Sequence, residues 1–117
     1  MHSPVDITFR GMTPSAAVEA AIGKWTARLE RLHGHIQRCD VVVEEPHRHQ
    51  RQGRQFHVRI TLAVPGGELV VSQDPGRDEA HEDVYIAVRD AFQAARRQLE
   101  DHIRRQRGDV KTHVAER

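Results

Sequence analysis

The chain has 117 residues, of which 38% are hydrophobic and 30% charged, with a formal net charge of +1. This length and balance indicate one globular domain, and a membrane-spanning helix is excluded because no apolar run approaches the roughly 20 residues it needs. Cys39 is the only cysteine, so no internal disulfide can form, and the first ten residues contain no apolar stretch of signal-peptide length. We therefore expect a cytoplasmic protein in a reducing setting.

The first two predicted elements are a strand and an amphipathic helix. Apolar and polar residues alternate over residues 5–9, which is the period of a half-buried strand. Thr13 is a suitable N-cap and Pro14 suits the first helical position, so a helix should begin there. Spacings of three and four residues then define one apolar helix face, and Gly34 is a plausible stop. That face consists of Val18, Ile22, Trp25, Leu29 and Leu32.

Three more strands and a second helix follow. Residues 39–45 read as a strand, and the alternation from Phe56 to Val64 is the clearest strand signal in the chain. The Pro65-Gly66 pair suits the centre of a type II turn, so residues 55–73 should form a hairpin of two strands. A second helix is expected from about Glu82 to Gly108.

The element order β-α-β-β-β-α predicts an α+β fold. The first βαβ unit should make its two strands parallel through a right-handed crossover, and the later strands should form an antiparallel meander. Each helix has one apolar stripe, so both can pack on one face of a four-stranded mixed sheet. The other face would be open to solvent and would carry His57, Arg59 and Thr61. We predict one domain over residues 1–108 and a flexible tail over residues 109–117.

Charge is segregated along the chain, although it nearly cancels in total. The stretch 46–67 contains only positive charges, whereas 74–90 is mainly acidic. On the first helix, Lys24, Arg28 and Arg31 fall in one narrow sector beside the apolar stripe. Like charges at these spacings repel, so this sector suggests an anionic partner, with an ordinary solvated helix face as the alternative.

The second helix is rich in arginine, but part of that charge can be neutralised within the helix. The possible i,i+4 pairs are Arg97 with Asp101, Glu100 with Arg104, and Asp101 with Arg105. A salt-bridged surface helix is therefore one interpretation. Arg89, Arg96 and Arg107 project to similar angles and are better candidates for contact with an anion. Trp25 and Tyr85 are interpreted as core residues in preference to base-stacking residues, because both lie on or beside an apolar stripe.

The stretch 46–57, PHRHQRQGRQFH, contains three histidines that could in principle ligate a transition metal. The surrounding arginines would oppose a divalent cation, and no Cys-x-x-Cys spacing supports a zinc site. Exposed loop histidines are the preferred interpretation, and a His-based metal-binding protein is the weaker alternative. Since there is no nucleophile elbow, P-loop or dinucleotide fingerprint, we predict no cofactor and no enzymatic activity.

Three segments of the sequence carry a family resemblance. The first is VDITFRG at residues 5–11 with Thr13-Pro14, and the second is the hairpin from Val58 to Val71 with its GGEL stretch. The third is DVYIAV at residues 83–88, followed by Arg97-Gln98-Leu99. Together, over about residues 4–107, they resemble the ribosome hibernation-promoting factor and ribosome-associated inhibitor A family, in its short, sigma-54 modulation protein-like form.

The resemblance implies a fold of the double-stranded-RNA-binding-domain type and a translation inhibitor that occupies the channel of the small ribosomal subunit under stress. Such a protein needs no cofactor, membrane or small-molecule substrate, and we expect it to be monomeric away from the ribosome. Lys and Arg side chains would neutralise ribosomal RNA phosphates. The expected RNA-binding residues are Lys24, Arg28, Arg31, Arg48, Arg51, Arg54, Arg59, Arg89, Arg96 and Arg107. A general double-stranded or stress-RNA-binding module is the alternative.

Overall fold

The computed structural model describes residues 5–46, 55–72 and 83–115, with side chains as far as residue 107. These ranges contain β1 (Val5–Arg10), α1 (Ala16–Leu32), β2 (Arg38–Glu44), β3 (His57–Val64), β4 (Gly67–Ser72) and α2 (Val84–Ala115). The order β-α-β-β-β-α confirms the prediction. The alternating and helical hydrophobic periods of the sequence therefore give the elements that they indicate.

The four strands form one mixed sheet in the order β1-β2-β3-β4. β1 and β2 are parallel, with Val5 opposite Cys39, and the β2–β3 and β3–β4 pairs are antiparallel. Cys39 also lies opposite Leu62, which lies opposite Leu69. Because side chains alternate between the two faces of a strand, this register assigns the whole apolar set to one face.

Both helices pack on this apolar face, as predicted. α1 contributes Val18, Ile22 and Leu29 to the buried core, and α2 contributes a stripe that includes Phe92 and Leu99. Burying a side chain of this kind stabilises the fold by about 1.5–3 kcal/mol relative to leaving it exposed. The opposite face of the sheet carries Asp6, Thr8 and Arg10 on β1, Arg38, Asp40, Val42 and Glu44 on β2, His57, Arg59, Thr61 and Ala63 on β3, and Glu68, Val70 and Ser72 on β4.

Helix α1 begins two residues later than Thr13-Pro14 predicted. Its N-cap is Ser15, whose extended backbone precedes the first helical residue and whose hydroxyl accepts a hydrogen bond from the Val18 N–H at 3.2 Å. Thr13 and Ser15 both carry a hydroxyl, but only Ser15 stands three residues before a helical N–H that its side chain satisfies. The prediction of Thr13 as the cap is therefore wrong.

Helix α2 begins at Val84, where the Asp83 carboxylate accepts a hydrogen bond from the Tyr85 N–H at 2.8 Å. It continues through Gly108 to Ala115, so the prediction that the helix ends at Gly108 is wrong. A glycine inside a helix costs only about 1 kcal/mol relative to alanine, which does not by itself stop the helix. The division into a domain and a flexible tail remains a prediction.

The β3–β4 turn is fastened to α2. Gly66 has φ of 95°, the left-handed backbone that a type II turn requires after Pro65, which confirms the predicted turn residues. The Pro65 carbonyl accepts a hydrogen bond from Gln106 Nε2 at 3.1 Å and lies 3.1 Å from His102 Nε2. These contacts join the turn to the distal half of α2. Within the described ranges, no helix combines the length and apolarity needed to cross a membrane.

Candidate nucleic-acid interface

The three basic residues predicted on α1 form one exposed stripe, which we call the α1 stripe: Lys24, Arg28 and Arg31. None of them forms an ion pair with another residue of the described ranges. The Arg28 guanidinium lies 4.8 Å from the centroid of the Trp25 ring, in cation–π geometry. No ion pair within the described residues therefore offsets the charge of the stripe, and one guanidinium lies against a partly buried indole.

The α1 stripe borders α2 at an aromatic seam. The Trp25 ring on α1 stacks on the Phe92 ring on α2, with centroids 6.3 Å apart and an interplanar angle of 14°. Arg89 and Arg96 lie one turn before and one turn after Phe92 on α2, and Arg28 lies one turn after Trp25 on α1. Helical spacing therefore places all three arginines within one turn of a residue of the seam.

Pairing within α2 differs from the prediction. Arg89 pairs with Asp90 at 3.0 Å and Arg96 pairs with Glu100 at 3.2 Å, two pairs that the sequence analysis did not propose. The three i,i+4 pairs that the sequence suggested do not form, and Arg104 pairs with Asp101 at i,i+3. Several carboxylates and guanidiniums lie within reach on one helix, so side-chain rotamers decide among them. Exposed pairs of this kind are worth only about 0–1 kcal/mol and can exchange for phosphate contacts.

Three arginines of α2 have no ion pair with another described residue: Arg97, Arg105 and Arg107. Arg107 is one of the predicted RNA contacts, and that role remains a prediction. Arg97 and Arg105 were expected to be neutralised and are not, because their proposed partner Asp101 pairs with Arg104 instead. Sequence spacing gives the possible partners of a helical side chain but not the one that it selects.

The open face of the sheet carries cations at one end. Arg59 is exposed and lies opposite Val42 and Ser72 in the sheet register, and its side chain forms no hydrogen bond or ion pair with another described residue. His57, one register row away, has Nε2 2.9 Å from Ser72 Oγ and Nδ1 3.9 Å from a Glu44 carboxylate oxygen. The predicted open-face position of His57, Arg59 and Thr61 is confirmed.

The other end of the same face is neutralised. Arg38 donates to Asp6 at 2.5 Å and, through Nε, to both carboxylate oxygens of Asp40 at 3.1 Å. The hydrogen bond to Asp40 and the charges of both carboxylates raise the pKa of Arg38. The sequence reasoning did not find this cluster, although the parallel register that places Asp6 opposite Asp40 could have indicated it. The arginines of this face that form no ion pair with another described residue, Arg10 and Arg59, therefore lie away from this cluster.

The histidines outside the sheet include a loop pair and a pair that follows α1. His47 and His49 lie outside the described residues, as do Arg48, Arg51 and Arg54, so the roles predicted for this loop remain predictions. Elsewhere, the rings of His33 and His35 meet edge to face with centroids 5.2 Å apart. Burial lowers the pKa of His33, and the positive charges of His35, His102 and Arg107 lower it further. In the described part of the chain, no three His, Cys, Asp or Glu side chains are arranged to hold a metal ion.

A cavity of about 520 Å³ lies where both helices begin. It is lined by Met12, Thr13, Pro14, Ser15, Val18, Glu45, Phe56, Val84 and Tyr85. Tyr85 is 48% exposed, so the expectation that it belongs to the core is wrong. Its position beside the apolar stripe is correct, but in the first turn of α2 a cavity lies beside it. Trp25, in contrast, packs against the core as expected.

Two solved structures share this fold. A ribosomal subunit interface protein from Coxiella burnetii superposes with a TM-score of 0.68 at 15% identity, covering 85% of this chain and 96% of that one. The N-terminal domain of Protein Y from Thermus thermophilus gives a TM-score of 0.65 at 21% identity, covering 87% of this chain and 99% of that one. No curated protein sequence matches the chain.

The sequence itself identifies the family. Residues 5–107 match the family described as sigma 54 modulation protein / S30EA ribosomal protein. The matched range begins with β1 and ends within α2, so it contains all four strands and α1. The agreement of sequence, element order and sheet topology leads to one conclusion: the chain belongs to the sigma 54 modulation protein / S30EA ribosomal protein family.

Proposed function

We propose that this protein binds the small ribosomal subunit through phosphate groups of its RNA and holds ribosomes in an inactive state, as a translation inhibitor or hibernation factor. Family membership supports a ribosomal partner, and the two similar structures are described as a ribosomal subunit interface protein and Protein Y. The observation that carries the RNA contact is the α1 stripe, which is exposed and unpaired within the described residues.

Phosphate recognition suits a chain whose total charge is close to zero. The net charge of +1 gives little long-range attraction, so binding depends on where the cations lie. The α1 stripe, together with Arg89 and Arg96 one turn from Phe92, supplies exposed cations from both helices. Contacts to phosphates require positive charge but no base-specific geometry, and they release counterions from the RNA.

The proposed contact residues fall into three groups. Lys24, Arg28 and Arg31 form the first, and Arg89, Arg96 and Arg107 on α2 form the second. The third consists of Arg59 on the open face together with Arg48, Arg51 and Arg54. In this proposal the protein acts by occupying a site on the ribosome, so it needs no bond-breaking chemistry, no cofactor and no second copy of the chain.

The test is co-sedimentation with purified small subunits at moderate salt. We expect the triple variant Lys24→Glu, Arg28→Glu, Arg31→Glu to lose binding while its circular dichroism stays that of the wild type. The matched control is Arg97→Glu, Arg104→Glu, Arg105→Glu, which changes the net charge equally on a part of α2 away from the seam. Equal loss in both variants would show a general charge effect and would contradict the role of the α1 stripe.

Purified small subunits also serve to distinguish ribosome binding from general RNA binding. The sequence alternative is a module for double-stranded or stress RNA, and it would use the same cations. We expect the wild-type chain to bind small subunits more tightly than protein-free RNA duplex at the same salt concentration. Equal affinity for the two would favour the general RNA-binding module over the ribosomal role.

A further inference from the structure

Four side chains that carry or can acquire positive charge converge where α1 ends, and we call them the histidine cluster: His33, His35, His102 and Arg107. His33 is the C-cap of α1, and its ring meets the ring of His35 edge to face with centroids 5.2 Å apart. The charges of the other three residues all act on His33. Residues of α1, of the segment after it and of α2 therefore share one small area.

The α2 side of the histidine cluster is positioned by the core and by the β3–β4 turn. Leu99 is buried and Ile103 packs against the core, and Arg107 lies one turn beyond Ile103 on the same face of the helix. His102 is adjacent to Ile103, and its Nε2 lies 3.1 Å from the Pro65 carbonyl oxygen. The contacts that build the fold therefore also hold His102 and Arg107 within electrostatic reach of the end of α1.

Carboxylates do not offset the charge at His33. In the described part of the chain, no carboxylate is among the groups whose charge acts on this residue. The charge of Glu30, one turn earlier on α1, acts on Cys39 of β2, and Asp101 on α2 pairs with Arg104. Positive groups that are close together without a negative group between them repel one another, so an anion placed among them would be stabilised.

The histidines make the charge of this area depend on pH. A neutral imidazole has one N–H donor and one lone pair, whereas the protonated ring has two N–H donors and a positive charge. A carbonyl oxygen can only accept, so in the neutral His102 ring the hydrogen lies on Nε2, toward Pro65, and Nδ1 carries the lone pair. Protonation converts that lone pair, which repels an anion, into a donor. The histidine cluster should therefore bind an anion more tightly as the pH falls.

The neighbouring α1 stripe indicates which anion this is. Arg31, the last residue of the stripe, is exposed and lies two residues before His33, so the histidine cluster continues the surface that we assign to RNA phosphates. Phosphate groups follow one another along an RNA strand. A strand whose phosphates lie along the stripe would therefore bring a further phosphate to the end of α1.

We propose that the histidine cluster binds one phosphate group of the RNA partner and that protonation of its histidines strengthens this contact. The inference rests on the proposed function for the source of the phosphate. It adds regulation to the α1 stripe, because Lys and Arg keep their charge across the physiological pH range whereas histidine does not. A fall in pH would strengthen binding at the cluster while the contacts of the stripe stay constant.

The first experiment measures the histidine cluster directly by NMR. The chain has nine histidines, and spectra of His33→Gln and His57→Gln identify the two rings that are compared. Sulfate is the probe, because its charge is constant over the range from about pH 5.5 to pH 8 in which histidine titrates. In sodium sulfate the pKa of His33 should be about 1 higher than in sodium chloride of equal ionic strength. The ring signals of His57, beside Glu44 on the open face of the sheet, should not respond to sulfate.

Two comparisons make this titration decisive. The absence of any response of His33 to sulfate, or an equal response of His57, would overturn the site. Hexauridylate should raise the pKa of His33 as sulfate does, and a hexaglutamate peptide should have a smaller effect. An equal effect of the peptide would indicate an acidic protein segment as the partner and would overturn the assignment of an RNA phosphate.

Co-sedimentation at two pH values connects the histidine cluster with the ribosome. The wild-type chain should bind small subunits roughly threefold to fivefold more tightly at about pH 6 than at about pH 7.5, since proton uptake by His33 is linked to phosphate binding. The double variant His33→Gln, His35→Gln should lose most of this difference, whereas His57→Gln should retain it. Circular dichroism at both pH values verifies that the variants are folded.

The two experiments separate the possible failures. An unchanged pH dependence in the double variant would overturn the assignment of a ribosomal phosphate, and a response to sulfate alone would then assign the site to a small free anion. If the wild-type chain did not sediment with small subunits at either pH, the proposed function would fail. The sulfate titration of the wild type would still decide whether the histidine cluster binds an oxyanion, and it requires no folded variant.

Discussion

Trp25 of α1 stacks on Phe92 of α2 with ring centroids 6.3 Å apart, and the same indole carries the Arg28 guanidinium 4.8 Å from its centroid. Packing between the helices and the direction of a candidate RNA contact therefore depend on one side chain. An aromatic pair contributes about 0.5–1.5 kcal/mol beyond its burial, and an exposed cation–π contact contributes about 0.5–1 kcal/mol. The seam thus links the stability of the helical layer to the position of Arg28.

Replacing Trp25 should affect both properties. We expect Trp25→Leu to lower the free energy of unfolding by about 1–3 kcal/mol, because the stack with Phe92 is lost and the site is only partly refilled. Urea denaturation measures this change. Leu32→Ala is the control, since Leu32 is 46% exposed and its loss should change stability by only about 0.5 kcal/mol. Equal effects of the two substitutions would contradict the seam as a stabilising contact.

The salt dependence of ribosome binding should report how many phosphate groups the protein contacts. Arg28→Gln is expected to reduce the slope of log K against log salt concentration by about 1, because each neutralised phosphate releases counterions. Arg38→Gln should leave the slope unchanged, since that guanidinium is already paired with Asp6 and Asp40. Binding measured at four or more salt concentrations provides the slopes. A similar reduction for both variants would argue against a specific contact by Arg28.

Freeing Arg96 should strengthen binding if it contacts RNA. Glu100→Gln removes the carboxylate that lies 3.2 Å from Arg96 Nε, so the arginine no longer has to exchange partners. An exposed pair is worth at most about 1 kcal/mol, which corresponds to an increase in affinity of about twofold to fivefold. Glu68→Gln removes an equal charge on β4 and is the control for total charge. The prediction fails if the two variants gain affinity equally.

The stability of the fold should decrease on acidification through His33. Burial and the neighbouring positive groups lower its folded-state pKa from the ordinary 6.5, so the folded state binds fewer protons than the unfolded state. The contribution of His33 to the free energy of unfolding is fully present above its unfolded-state pKa. It is lost as the pH falls through the lowered folded-state pKa. The melting temperature should therefore decline less between about pH 7.5 and pH 5 in His33→Gln than in the wild type.

The environment of His33 supplies the check on this pH effect. The groups that oppose its protonation are His35, which follows α1, and His102 and Arg107 on α2. His35→Gln should raise the pKa of His33 as measured by NMR titration, since one positive neighbour is removed. If the melting temperatures of wild type and His33→Gln declined equally across this pH range, His33 would make no contribution to the pH dependence of stability.

The β3–β4 turn should not tolerate a side chain at Gly66. A methyl group there would overlap Gln106 Nε2, and φ of 95° is disfavoured for any residue with a Cβ. We expect Gly66→Ala to destabilise the fold by about 1–2 kcal/mol or more. Adding Gln106→Ala should recover only part of this loss, because it removes the overlap but not the backbone strain.

Thermal or urea unfolding of the single and double variants measures the two contributions separately. Gly34→Ala is the control, because a Cβ at Gly34 meets nothing within 4 Å and that residue has no positive φ. If Gly66→Ala proved as harmless as Gly34→Ala, the contact between the turn and α2 would have no energetic importance.

Local pattern was enough to predict the elements and the face that each one buries. The period of two over β3 and the spacing of Val18, Ile22 and Leu29 on α1 are encoded within short stretches, and each stretch has one compatible way to cover its apolar side. Cap choice was harder, since Thr13 and Ser15 offer the same hydroxyl chemistry two residues apart. The position of the helix start decides between them, because Ser15 is the residue whose hydroxyl accepts a hydrogen bond from a helical N–H.

The sequence by itself determined the β-α-β-β-β-α order, the covered and open faces of the sheet, and the same-sign stripe on α1, because periodicity and charge spacing act between near neighbours. Only the tertiary structure determined which side chains of different elements meet. The Trp25–Phe92 seam, the crowding of His33 by His102, and the exposure of Tyr85 beside a cavity join residues far apart in the chain. Their positions depend on how helices pack on the sheet and on which rotamers the side chains adopt, and no spacing along the sequence specifies either.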